Sequence, residues 1–349
     1  MVLKYRMLRG MRLPRLAGLF LMGAGAGVIF ATACQDQPPA SGPADPPGPP
    51  PGAPGLEAQP GLAVPAAATS PVRIAWGPGA TVLVSDFRNQ TIYQMSVAQG
   101  TVTPIQTLTV GEPPLGVAWA RNRLFVGKPA SDAVDVYEFD PQAPPPSGTY
   151  PWLYRLGGSA PIEDPTDIAV DTAQGLVFVL DVRARRIKAF DLDDGAPRVT
   201  ISSPGLAADQ LQNPAGLAVD VARQEVLVSD YGEPTESSAP PALKIFDYQG
   251  ALLASFSGRL GMLGQRFSRP QGLAVDGKGH ILVADALAGE VIVFDRQSGA
   301  ILTTFGTFGS GAGQLWLPLD VILDGNADLL VTNNRPGRIE IFPTGGQIP

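Results

Sequence analysis

Side chains able to do chemistry are few in this chain of 349 residues, and most are of one type. It has a single histidine, His280, and a single cysteine, Cys34. A zinc or copper centre built on imidazole or thiolate needs several such ligands, so neither has a ligand set here. No haem-attachment CxxCH, phosphate-binding P-loop or GxSxG nucleophile elbow occurs. His280 lies in the turn GKGH, where a solvated ring is the expectation rather than a catalytic one. What recurs is aspartate. Asp86, Asp181, Asp230 and Asp285, with Asn333, each close an apolar run, and so do Asp171, Asp220, Asp276 and Asp324. Recurrence alone makes these carboxylates look functional. An Asp at a strand end, however, finds turn amides to accept from, so a structural role is expected.

The aspartates belong to a repeated unit. RPQGLAVDGKGHILVADALAGEVIVFD, beginning at Arg269, is matched by stretches beginning at Asn213, Asp164 and Leu317, and more weakly at Pro113 and Ser70. The register is marked by Pro71, Pro114, Pro165, Pro214, Pro270 and Pro318, with gaps of 43, 51, 49, 56 and 48 residues. A fixed period of this length signals a repeat architecture. Each unit holds three short Val/Ile/Leu-rich runs separated by Gly, Asn, Asp and Pro, which is strand chemistry. A fourth run follows most units: PIQTLTV, WLYRL, RVTIS, LLASF and ILTTF. The first run has a small residue at its middle in five units: Ala75, Ala118, Ala169, Ala218 and Ala274, with Ile322 the exception. The third ends in a large one: Met95, Phe139, Phe190, Phe246, Phe294 and Phe342. Small near an axis and large where sheets splay apart is the taper of a β-propeller. The fold expected is all-β, six blades of four strands, with blades starting near residues 71, 114, 165, 214, 270 and 318.

The units resemble NHL repeats, in which a proline precedes an apolar strand ending in Asp, a strand ending in Val-x-Asp and a strand ending in Phe-Asp. The Gly-rich stretches FGTFGSGAGQLWLP and FSGRLGMLGQRFSRP resemble the links between blades in that family. Gly77 and Ala120 replace the first Asp in units one and two, and Lys128 the second in unit two. The resemblance implies a binding platform for another protein. Six-bladed propellers also include lactonase-like hydrolases and lyases, so a divergent enzyme is the alternative. In those relatives metal ligands line the mouth of the inner strands, at positions matching Val72, Leu115, Thr166, Ala215, Gln271 and Leu319. Four of these are aliphatic, and calcium wants several oxygens. No metal and no cofactor are expected. The next ring reads Arg73, Gly116, Asp167, Gly216, Gly272 and Asp320. Arg73, Asp167 and Asp320 are candidates for holding a small polar ligand at the channel mouth. The competing reading is an Arg–Asp pair sealing the ring between last and first blades, and it is favoured because propeller channels are ordinarily polar.

Residues 1–34 read as an export signal: Lys4, Arg6, Arg9, Arg12 and Arg15 precede an apolar stretch and small residues. Cys34 directly follows Ala31-Thr32-Ala33, which resembles the bacterial lipobox and implies lipidation at Cys34. An incidental cysteine behind an ordinary signal, or an uncleaved anchor, are the alternatives. Gln35 after the cysteine, in place of Asp, points to the outer membrane. Residues 35–69 are rich in Pro, Gly and Ala and read as an extended linker, and residues 70–349 form the propeller. Without residues 1–34 the chain holds 20 basic and 32 acidic residues, a net charge of −12. That excludes the basic footprint of a nucleic-acid binder. The expected partners are an envelope or surface protein and, through the lipid, the membrane. Interface candidates are Tyr150, Trp152 and Tyr154 around one insertion, and Tyr231, Glu233 and Glu236 in another. For Trp152 and Tyr154 packing against the next blade is an equal alternative. Unit six ends after three strands, and Gly61–Ala67 is the expected fourth.

Overall fold

A computed structural model describes residues 69–346, apart from 99, 140–149, 158–160, 233–239 and 258–266, together with Ile348. The expected export signal, Cys34, the linker, Gly61–Ala67, Glu233 and Glu236 lie outside the described residues. Six antiparallel sheets follow one another along the chain, five of four strands and a last of three among the described residues. Their inner strands are Pro71–Trp76, Val117–Ala120, Pro165–Asp171, Pro214–Asp220, Pro270–Val275 and Pro318–Leu323. Each packs beside the next, and the last beside the first, closing a ring. Every strand pairs with its sequence neighbour, so each blade is a local meander and only its stacking is long-range.

The taper has a direct measure. A Cβ placed on Gly216 would lie 2.3 Å from the Gln271 carbonyl oxygen, and one on Gly272 would lie 1.9 Å from an Asp320 carboxylate oxygen. Inner strands approach too closely there for a side chain on both. Further out, each gap between blades holds its own apolar cluster. Phe190 fills the gap between the second and third blades, Phe246 the next, Phe294 the next and Phe342 the next. Met95 packs with Leu330, Ile339 and Ile341 between the sixth and first.

The aspartate closing each second strand is a clasp. Asp230 accepts from the backbone N–H of Gln212 (2.8 Å), Asn213 (2.8 Å) and Gly232 (3.0 Å), tying the segment before the inner strand to the turn after the second. Asp285 does the same for Ser268, Arg269 and Ala288. Asp86 serves Thr69, Ser70 and Asn89. In the last blade Asn333 accepts from Trp316 N–H and donates its amide to the Gln314 carbonyl, both at 2.8 Å. The aspartates ending inner strands cap turns instead. Asp276 accepts from Lys278 and His280 N–H, and its second oxygen lies 2.8 Å from His280 Nδ1. These carboxylates satisfy amides that would otherwise be orphaned at the ends of strands.

Candidate functional site

Arg73, Asp167 and Asp320 converge on the propeller axis. Arg73 comes from the first blade, Asp167 from the third and Asp320 from the sixth, and they are 3%, 5% and 6% exposed. The guanidinium spans the axis: Nε donates to the Thr166 carbonyl (3.3 Å), Nη1 to Leu319 (2.9 Å) and Nη2 to Ala215. Its charge lies 3.5 Å from Asp167 and 3.9 Å from Asp320. Each carboxylate also reaches the neighbouring blade. Asp167 accepts from Ile168 N–H and, across the gap, from Leu217 N–H at 2.8 Å. Asp320 accepts from Val321 N–H and, across the closure, from Ile74 N–H at 3.0 Å. Burial away from water raises both carboxyl pKa values, Asp320 to about 7; Arg73 opposes the shift in both, and the Asp167 charge adds to it at Asp320. Two largely buried acids thus share one cation.

This cluster does not stand at an open mouth. Val72, Leu115, Thr166, Ala215, Gln271 and Leu319, the ring at the starting ends of the inner strands, are each at most 4% exposed. Val72, Leu115 and Leu319 join an apolar cap with Ala286, Phe87 and Leu317. The channel opens at the other end. A cavity of about 350 Å³ is lined by all six inner strands, with Asp167 and Asp320 at its inner end. Apart from Asp167 and Asp320 its lining side chains are apolar, with main-chain polar groups between them, and the half-buried Trp76 and Trp119 sit at its outer end. The channel mouth expected for Arg73, Asp167 and Asp320 is thus a buried cluster beneath the apolar cap, from which Asp167 and Asp320 reach the cavity. Among the described residues no group of three or more His, Cys, Asp or Glu side chains is placed to hold a metal ion.

The interface candidates divide. Tyr150 is half-buried against the cluster between the first two blades: its hydroxyl donates to the Gln94 side-chain oxygen at 3.0 Å, and its ring packs on Trp119 and Phe139. Desolvation raises its hydroxyl to about 12. Tyr154 packs against the cluster between the second and third blades, under the Arg123 guanidinium. Tyr231 is covered by Arg269, 5.0 Å from its ring centre. Trp152 is 59% exposed.

A surface the sequence reading missed lies on the capped face. Phe308 and Trp316 are 52% and 38% exposed, with ring centres 6.1 Å apart. Arg335 lies 5.5 Å over Trp316. Both rings sit on a loop closed by parallel pairing of Thr307–Phe308 with Gln314–Leu315 and anchored by the fully buried Leu315. The turn carrying Leu287, 58% exposed, packs against Phe308 through Gly289. The signal was present in FGTFGSGAGQLWLP, where two large aromatics interrupt a glycine-rich link.

No family model matches the chain. It is 30% identical over 155 residues to the E3 ubiquitin-protein ligase NHLRC1 of Mus musculus, covering 44% of this chain and 35% of that one. It is 29% identical over 143 residues to the protein brain tumor of Drosophila melanogaster, covering 41% of this chain and 12% of that one. The matches thus span well under half the length of either relative. Among solved structures it is similar to a hydrazine synthase of Kuenenia stuttgartiensis (TM-score 0.57, 12% identity, covering 80% of this chain and 97% of that one). A streptogramin B lyase follows (0.55, 9%, covering 80% and 95%), as does a chain of a nidogen/laminin complex (0.52, 18%, covering 73% and 86%). At these identities the structural likenesses speak for the fold alone.

Proposed function

The chain is an NHL-repeat β-propeller, and we propose that it acts as a protein-binding platform, lipid-anchored at Cys34 in a bacterial envelope. The observation that carries the binding role is the exposed patch of Leu287, Phe308 and Trp316. Rings held on a braced loop lose little freedom on binding, and Trp and Arg are frequent anchors of interfaces. A propeller of the same fold is found in a complex of nidogen with laminin, which supports the reading by analogy of architecture. The ligase activity in the name of one relative stays with that protein. The patch lies on the capped face, at the starting ends of the inner strands.

The test is retention of envelope proteins on the immobilised chain, wild type against Phe308→Ser/Trp316→Ser. The double variant is expected to lose at least one specifically retained protein while keeping its melting temperature within a few degrees. An unchanged retained set, with Trp152→Ser also silent, would remove both exposed aromatic surfaces from consideration.

A further inference from the structure

We propose that the axial cavity is a binding site for an organic cation, an ammonium group on an apolar body, whose charge meets Asp167 and Asp320. Two buried carboxyls face one guanidinium, and that guanidinium donates to three backbone carbonyls. With both acids ionised the cluster carries one negative charge in excess, and an uncompensated charge that is largely buried is costly. A proton can relieve it. So can a cation entering from the open end, since both carboxyls line the cavity while Arg73 lies behind them. Burial is the main cause of the raised carboxyl pKa values, and at Asp320 the Asp167 charge adds to it.

The walls select the kind of cation. A hard metal ion wants six or more oxygens or keeps its water. Here two carboxylates already accept four backbone N–H groups, and the half-buried side chains of the lining include Val170, Val219, Val275, Ile322 and Leu323. Such walls favour a hydrocarbon body. At about 350 Å³ the cavity is at the small end of ligand sites. Trp76 and Trp119 line the cavity towards its outer end, where an indole can attract an alkylammonium group on entry.

Proton and ligand compete for the same carboxylates, so binding should strengthen as pH rises through the raised pKa of Asp320. The titratable groups involved can be named blade by blade: Arg73 from the first, Asp167 from the third and Asp320 from the sixth. The second, fourth and fifth blades present only apolar side chains to the cavity among the described residues.

Calorimetric titration of the full chain with hexylammonium, hexan-1-ol and hexanoate tests this. At pH 8 hexylammonium should bind about tenfold or more tighter than hexanol, hexanoate should not bind, and the preference should shrink at pH 5.5. Asp320→Asn should abolish the preference while leaving hexanol binding in place. Should that variant not fold, Trp119→Leu, outside the charge cluster, should weaken the ammonium more than the alcohol. Equal affinity for ammonium and alcohol, a preference indifferent to pH, or no saturable ammonium binding at about 10 mM would each overturn the proposal.

Discussion

Arg73 holds the centre of the molecule because its donors are spent on carbonyls of three other blades, not on a single acid. Removing it leaves two buried carboxyls facing each other without a cation. Breaking a buried ionic cluster from one side costs about 3–5 kcal/mol, so Arg73→Met should lower unfolding free energy by that order at pH 8. The loss should be smaller at pH 5, where the acids take up protons instead; denaturant titration at both pH values checks it. The sign for the wild type follows from the same groups. Asp320 has a folded pKa raised to about 7, above its unfolded value. Its contribution is therefore fully present below the unfolded pKa, near 4, and is lost as pH rises through 7. Asp320→Asn should flatten that part of the stability profile. Lys128 shows how a departure from the repeat is absorbed. Standing where other blades carry the clasp Asp, it pairs with Glu112 at 2.8 Å and Asp135 at 3.0 Å. Burial would lower its pKa, but the hydrogen bonds it donates to these acids raise it on balance, so the ammonium remains charged and the polar seam is kept with reversed sign.

Among elements, the sixth blade is the weak place in the ring. Its third strand, Arg338–Phe342, pairs with Leu329–Asn333 on one side and has no strand partner on the other among the described residues. In the other five blades that side is occupied, as when Glu290–Asp295 pairs with Ile301–Phe305. A bare edge is a template for aggregation, and proteins cover it. Gly61–Ala67 is the apolar segment nearest the first blade in sequence, and an outermost strand tolerates Pro65 on its unpaired side. Deleting Gly61–Ala67 should lower the melting temperature by several degrees or promote aggregation, whereas deleting Pro38–Pro54 should do neither. Equal thermal unfolding of the two truncations would mean that the blade is stable with three strands.

At the scale of the whole molecule, a membrane anchor and the ring are separate questions. Lipidation at Cys34 predicts that Cys34→Ser abolishes fatty-acid labelling and releases the chain or leaves it unprocessed; persistent labelling would remove the anchor. The ring itself was legible in the sequence: the blade number, the strand order and the clasp positions can all be read from the spacing of Pro214, Asp220, Asp230 and Phe246 and their equivalents. That legibility has a cause. Each strand pairs with its sequence neighbour, so hairpin chemistry repeats along the chain and the period survives. What the sequence left open was direction and distance. Inner strands shift register near their starts, as between Pro71 and Ile74 or Pro214 and Gly216, and such irregularities re-aim side chains against simple alternation. Whether Asp167 and Asp320 meet the capped end or the open end therefore could not be counted out. Arg73 reaches partners 93, 142 and 246 positions away, and Phe308 meets Trp316 only because a parallel pairing folds a glycine-rich link back on itself. Periodic, local pairing is written in the chain; contacts across the axis and within the links exist only once the six blades have closed.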